Sequence, residues 1–153
     1  MREKIEKHLG LILALIAITV MLSRYVSSPE TEYNSIRLEQ AVTELEEGGS
    51  VKLAEVTPFE WETLYLFGPE TGKEEIEEII GFSSNSVRGS VDEDAVQLLF
   101  VKGEKVTASE CAAPEKIGFR IDAGGRDRIE AASEPECSVT KEEGIVVLTL
   151  TER

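Results

Sequence analysis

The side chains best suited to contacting a ligand form an aromatic run in the segment 58–67, which reads PFEWETLYLF. In an extended chain, alternate side chains share one face, and the aromatic residues here all fall on odd positions: Phe59, Trp61, Tyr65 and Phe67. An exposed row of this kind would suit a sugar, a peptide or a partner helix, whereas a buried row would build a small core. Such a row more often builds a small core, and we keep these four residues as a candidate partner-binding surface beside that reading.

Acidic side chains are numerous, but no pair stands out for acid/base chemistry. Glu60 and Glu62 flank Trp61 on the strand face opposite the aromatic row, and glycoside hydrolysis needs two carboxyl groups about 5–9 Å apart in a cleft. The segment 92–94 reads DED, and carboxylate oxygens suit a hard cation such as Ca²⁺. Both groups are more simply explained as solvated surface residues, so we predict no metal site.

The histidine content removes the commonest catalytic machinery. His8 is the only histidine, so the rest of the chain lacks a base for Ser-His-Asp or Cys-His catalysis and an imidazole ligand for zinc. Gly124-Gly125 does not stand in a phosphate-binding glycine motif. We therefore expect no catalytic residues and no cofactor.

Two cysteines, Cys111 and Cys137, are spaced too far apart for a Cys-x-x-Cys motif. In an oxidising compartment, a single pair most simply forms one disulfide. That bond would close a loop of roughly 27 residues. By restricting the unfolded chain, it would stabilise the fold by about 3 kcal/mol. The alternative is two buried thiols.

Charge separates the N-terminal segment from the rest. The chain carries a net charge of −14, and residues 1–28 contain four basic and two acidic side chains, so residues 29–153 carry −16. A domain this anionic repels phosphate backbones. We therefore exclude nucleic acid as a partner.

The segment 9–22 reads LGLILALIAITVML and is free of charged residues. Fourteen residues are short for a membrane span, which needs about 20, and would also suit a cleaved signal peptide. Extension past Arg24 to residue 26 gives nearly the required length, and Pro29 disfavours cleavage after Ser28. We predict an uncleaved anchor at residues 9–26. Arg2, Lys4 and Lys7 precede it, which places the N-terminus in the cytoplasm and the domain outside.

Hydrophobic spacing indicates an α+β fold. It predicts a helix at 36–45 ended by Gly48-Gly49, and a second helix from a Thr71–Glu74 capping box to Gly81. The segments 95–102 and 105–111 predict a β-hairpin, and further strands follow to residue 151. The chain thus divides into a cytoplasmic tip and anchor (1–28), a linker (29–34) and a domain (35–153). We expect an N-terminal transmembrane helix, then two helices packed on one antiparallel sheet of about five or six strands.

The order of these motifs resembles small uncharacterised bacterial exported or lipid-anchored proteins, in which a Phe-x-Trp-Asp-x-x-Tyr segment precedes a Pro-Tyr turn and a helix ending in Gly. The resemblance covers residues 56–106 and depends on the aromatic run, Ile79-Ile80-Gly81, and the apolar strand 98–101. Glu62 stands where those proteins have Asp, and Gly68-Pro69-Glu70 replaces their turn. The resemblance implies location and fold but no chemistry.

These observations favour a membrane-anchored extracytoplasmic interaction module without catalytic activity, which meets an envelope protein. Two alternatives stay open: a sensor domain that binds a small ligand or a cation, and a hydrolase that uses carboxylates only.

Overall fold

The computed structural model describes residues 29–89 and 92–151, together with Ile12 and Leu15. Four α-helices occur in the described ranges: α1 (Pro29–Thr43), α2 (Leu53–Val56), α3 (Lys73–Ile80) and α4 (Pro114–Ile117); a short 3₁₀-helix spans Ala131–Ser133. Eight strands accompany them: β1 (Ser50–Lys52), β2 (Thr63–Phe67), β3 (Val96–Lys102), β4 (Lys105–Ala112), β5 (Phe119–Asp122), β6 (Arg128–Glu130), β7 (Glu136–Glu142) and β8 (Ile145–Leu150). The α+β class predicted from the sequence is confirmed.

The strands form two sheets of four. The first sheet has the order β1-β7-β8-β5, with β5 parallel to β8 and the other pairs antiparallel. The second sheet has the order β4-β3-β2-β6 and is antiparallel throughout. The single sheet of five or six strands expected from the sequence is therefore wrong. Alternation shows which face of a strand is buried but not which strand lies beside it, and the β5–β8 and β2–β6 pairs join strands distant in sequence.

The expected N-terminal transmembrane helix is not part of the structure as described. Among the described residues, none belongs to a helix long and apolar enough to cross a membrane. The predicted anchor at residues 9–26 lies outside the described residues, apart from Ile12 and Leu15. The predicted linker 29–34 is helical, because α1 begins at Pro29.

The main core lies between the two sheets. The second sheet contributes Leu64, Leu98 and Phe100, and the first sheet contributes a facing set: Cys137, Val139, Val146 and Leu148. Leu38 and Val42, one helical turn apart on α1, pack into the same cluster. Both sheets thus bury one face against each other.

A second core covers the other face of the second sheet. Ile76 on α3 is fully buried there against Leu99, Val101 and Phe67. The helix ends where predicted, at Gly81, which adopts a left-handed conformation with φ of 85°. The predicted capping box is wrong, since the helix begins at Lys73 and the Thr71 hydroxyl donates to the Gly68 carbonyl (2.9 Å).

Candidate functional site

The structure divides the aromatic segment into two pairs. Trp61 is 7% exposed, and its ring meets Phe100 edge-on with 5.4 Å between centroids. Its Nε1 donates to the Thr57 hydroxyl (2.8 Å), which satisfies the indole in the core. Phe59, half-buried, also packs edge-on against Phe100 at 5.2 Å. These two rings thus belong to the core between the sheets.

The other pair lies on the opposite face of the second sheet. Tyr65 and Phe67 are stacked, with centroids 6.1 Å apart and planes 10° from parallel, and the Arg128 guanidinium lies 5.6 Å from the Tyr65 centroid. The four rings do not share one face, because the strand begins only at Thr63 and the chain bends at Glu62; Phe59 and Trp61 take the core role. The bend interrupts the alternation between Trp61 and Tyr65.

The predicted disulfide is wrong as well, since both cysteines are free thiols. Cys137 is buried between the sheets. Cys111 lies on the second sheet, where the pairing of Leu98 with Glu110 and of Gln97 with Cys111 directs the thiol to the face opposite the main core. The cysteines therefore give no support for an oxidising compartment.

The acidic candidates from the sequence are surface residues. Glu60 is exposed and pairs with Lys102, whose hydrogen bond lowers the pKa of that carboxyl. Glu62 accepts a hydrogen bond from the Gly103 N–H (2.9 Å). Asp92 lies 3.8 Å from the Lys116 ammonium. Within the described part of the chain, no group of three or more His, Cys, Asp or Glu side chains could hold a metal ion.

A cleft that the sequence did not indicate lies between α1 and the outer end of β4. We call it the α1–β4 cleft; its volume is about 250 Å³, and its polar lining includes Ser35, Glu39, Ser86, Arg88, Glu110 and Cys111. β4 is an edge strand, so its outer backbone groups need partners. Side chains of α1 supply these hydrogen-bond partners, and the contact between α1 and β4 forms the cleft wall.

Three buried polar side chains of α1, at helical spacing, bond to the β4 backbone. Thr31 donates to the Val106 carbonyl (2.8 Å), and Asn34 donates to the Thr107 carbonyl (2.9 Å). The Ser35 hydroxyl donates to the Ser109 carbonyl (2.9 Å) and accepts from the Ser109 N–H (3.0 Å). These bonds hold α1 along the strand edge, with Glu39 one turn beyond Ser35.

Glu110 is the unusual residue of the cleft. It is only 6% exposed, and no hydrogen bond from a described residue reaches its Oε1. Burial, and then the neighbouring Glu39 carboxylate, raise the pKa of Glu110 to about 7, although Ser35 and Arg88 act in the other direction. A buried polar atom without a partner costs about 1–3 kcal/mol, so this oxygen is poised to accept a hydrogen bond.

The chemistry of the cleft suits binding better than covalent catalysis. Burial, as the largest cause, raises the pKa of the Cys111 thiol, which keeps it protonated and a weak nucleophile. The Glu39 carboxylate lies near enough to Glu110 to raise the pKa of that carboxyl. The cleft therefore offers hydrogen-bond acceptors and charge rather than an activated nucleophile.

Comparison with known proteins returned no match: no family model, no curated protein and no solved structure is similar to this chain. The family resemblance noted for residues 56–106 therefore stays a prediction.

Proposed function

We propose that this domain is a non-catalytic interaction module and that its recognition site is the α1–β4 cleft. The observation that carries the proposal is Glu110, a buried acid that lines the cleft and whose Oε1 has no hydrogen-bond partner among the described residues. Native proteins satisfy nearly all buried polar atoms. A ligand group that donates a hydrogen bond to the Glu110 carboxyl would offset the cost of burying it.

The cleft is a better binding site than the aromatic segment. Trp61 and Phe67 are each 7% exposed, so most of their area is already used in packing. By contrast, Ile36 at the rim of the α1–β4 cleft is 50% exposed, and Arg88 at the same rim is exposed. An apolar residue and a charge beside a polar cleft give a partner both contact area and orientation.

A small-ligand sensor is the second candidate, and the size of the cleft favours it. A volume of about 250 Å³ is slightly below the range of about 300–1,000 Å³ typical of small-molecule sites. It admits one small molecule or one side chain of a protein partner. The interaction module and the small-ligand sensor would use the same cleft residues.

The position of the domain outside the cytoplasm and the identity of an envelope partner remain predictions. They depend on residues 1–28, of which the structure describes only Ile12 and Leu15.

Photo-cross-linking tests the proposed site. A benzophenone amino acid placed at Ile36 in the full-length chain, in the cells that produce it, should yield adducts on irradiation. The matched control is Ile79, which is exposed to a similar extent (53% against 50%) but lies on α3. We expect adducts at position 36 that are absent at position 79 and are lost in Glu110→Leu, which removes the acceptor.

Mass spectrometry of the adduct separates the two candidates, because a protein partner and a small molecule add different masses. Identical adducts at both positions, or adducts at position 36 that persist in Glu110→Leu, would show that the cleft is not the recognition site.

A further inference from the structure

We infer that the α1–β4 cleft binds a primary ammonium group, held by the carboxyl groups of Glu110 and Glu39. This inference rests on the proposed function and names the chemical class of the ligand. The same group is carried by small amines and by lysine side chains.

The first argument is the hydrogen-bonding state of the cleft wall. The hydroxyls of Ser35 and Ser109 donate to backbone carbonyls, at 2.9 Å each, and Ser35 also acts on the Glu110 carboxyl to lower its pKa. The Glu110 Oε1 has no partner among the described residues. A carboxylate oxygen accepts hydrogen bonds only, so a ligand that complements this wall must bring a donor.

The second argument is charge. Among the described residues, Glu32, Glu39 and Glu110 line the cleft together with one cation, Arg88. No ion pair between Arg88 and a carboxylate occurs in the described ranges. With all carboxyl groups ionised, the lining carries an excess of negative charge. A cationic donor therefore gains more there than a neutral one.

The third argument selects among cations. A metal ion is disfavoured because the described residues provide no cluster of three or more suitable ligands. A quaternary ammonium has no N–H to donate. A primary ammonium is compact and carries three donors, which matches two adjacent carboxyl groups at the end of a small cleft. Ile36 at the rim provides apolar surface for the alkyl stem.

Binding is coupled to a proton. The groups that face Glu110 are Glu39 and Ser35 from α1 and Arg88 from the loop before β3, and Cys111 is its neighbour on β4. The ammonium keeps its own protons and binds the ionised form of Glu110, so the Glu110 proton is released to solvent. Binding therefore strengthens as the pH rises through about 7 and lowers the pKa of Glu110.

Carbon-13 NMR of the glutamate side chains tests this inference in the full-length chain in a non-ionic detergent. The probe is n-butylammonium chloride, and the control for charge and ionic strength is tetramethylammonium chloride. At about 100 mM, a probe with a Kd of about 50 mM should lower the midpoint of the Glu110 titration by about half a pH unit. The control should leave it unchanged.

Two variants guard against a nonspecific effect. Butylammonium should shift the amide NMR signal of Ser109, beside Glu110, in a saturable way. Glu110→Gln is isosteric and should abolish that shift. Glu115→Gln, an exposed position on α4, should leave it intact. Equal effects of the two cations on the Glu110 titration would overturn the inference. If adducts at position 36 still depend on Glu110 in that case, the proposed function stands without it.

A final comparison identifies the source of the ammonium. The peptide acetyl-Gly-Ser-Lys-Ser-Gly-amide is titrated in the same way as butylammonium. Tighter binding of the peptide indicates a lysine side chain on a protein partner. Equal or weaker binding indicates a free small amine.

Discussion

Glu110 lies directly opposite Leu98 in the antiparallel pair of β3 and β4. Leu98 is 2% exposed and belongs to the main core, so Glu110 places a carboxyl group on the face of the second sheet that otherwise packs against the first. At this strand edge, α1 and Arg88 line a polar cleft beside that carboxyl. A buried acid in such a position should control the pH dependence of stability.

The first prediction concerns Glu110→Gln. Between pH 4.5, the ordinary pKa, and pH 7, the folded chain holds a proton that the unfolded chain has lost. The contribution of Glu110 to the free energy of unfolding therefore falls as the pH rises through that window, by about 3 kcal/mol at most. Urea unfolding at pH 4.5, 6 and 8 should show the variant gaining stability relative to wild type as the pH rises. Glu115→Gln should show no such trend, and a pH-independent difference for Glu110→Gln would contradict the prediction.

The second prediction concerns the α1–β4 contact. Ser35→Ala removes a hydroxyl that both donates to and accepts from the backbone of Ser109. Loss of these bonds beside a half-buried strand edge should cost about 1–3 kcal/mol in the free energy of unfolding. Arg37→Ala, an exposed substitution on the same helix, should cost less than about 0.5 kcal/mol. Equal effects in urea unfolding would show that the strand edge does not depend on Ser35.

The third prediction concerns the thiols. Without reductant, iodoacetamide should modify Cys111 slowly in the folded chain, because its side chain is half-buried and burial raises the pKa of its thiol. Burial also raises the pKa of Cys137, to about 11, and the residue is fully enclosed, so it should react only after unfolding. Intact-mass measurement counts the labels. A chain that takes up two labels only after reduction would contradict the free-thiol state.

The sequence predicted the local elements better than their assembly. The hairpin of β3 and β4 is confirmed, with Gly103 at φ of 57° in the turn, because a short turn between two apolar runs specifies its own geometry. The end of α3 at Gly81 is also confirmed, because glycine readily adopts the left-handed conformation that ends a helix. The division into two sheets depends on pairings such as β5 with β8. The residues of each strand do not predict which distant strand lies beside it.

The cleft was missed although one sign of it was present. Glu110 shares its side of β4 with Ala108 and Ala112, so a charged residue occupied an otherwise apolar set of positions. That pattern alone is common on strand surfaces. The cleft also requires Glu39 and Arg88, which are far from Glu110 in sequence, and only the folded chain brings them together.

The fourth prediction concerns the core around Trp61. Phe100 is fully buried and supports both Phe59 and Trp61, so Phe100→Ala should destabilise the chain by about 3–5 kcal/mol. Phe82→Ala is the matched control, since Phe82 is only half-buried at the edge of the second core. Its cost should be clearly smaller. If the two substitutions cost the same in urea unfolding, the packing around Trp61 is not the main core.

The fifth prediction concerns Gly89, which follows Arg88 and passes over the start of α3. A Cβ on Gly89 would lie 2.7 Å from the Lys73 backbone nitrogen and 3.3 Å from the Gly72 carbonyl carbon. Backbone atoms at a helix start cannot move aside easily, so Gly89→Ala must displace the segment that carries Arg88. Gly49→Ala is the control, because its Cβ would meet nothing closer than 4.0 Å.

We expect Gly89→Ala to do more than lower the melting temperature. Arg88 acts to lower the pKa of Glu110, so moving the guanidinium away should raise the midpoint of the Glu110 titration. Carbon-13 NMR of the Glu110 carboxyl measures that midpoint directly. A variant that is destabilised but keeps the wild-type midpoint would show that the 86–89 segment stabilises the fold without setting the charge balance of the cleft. A shifted midpoint, with Gly49→Ala unchanged, would show that the position of Arg88 does set that balance.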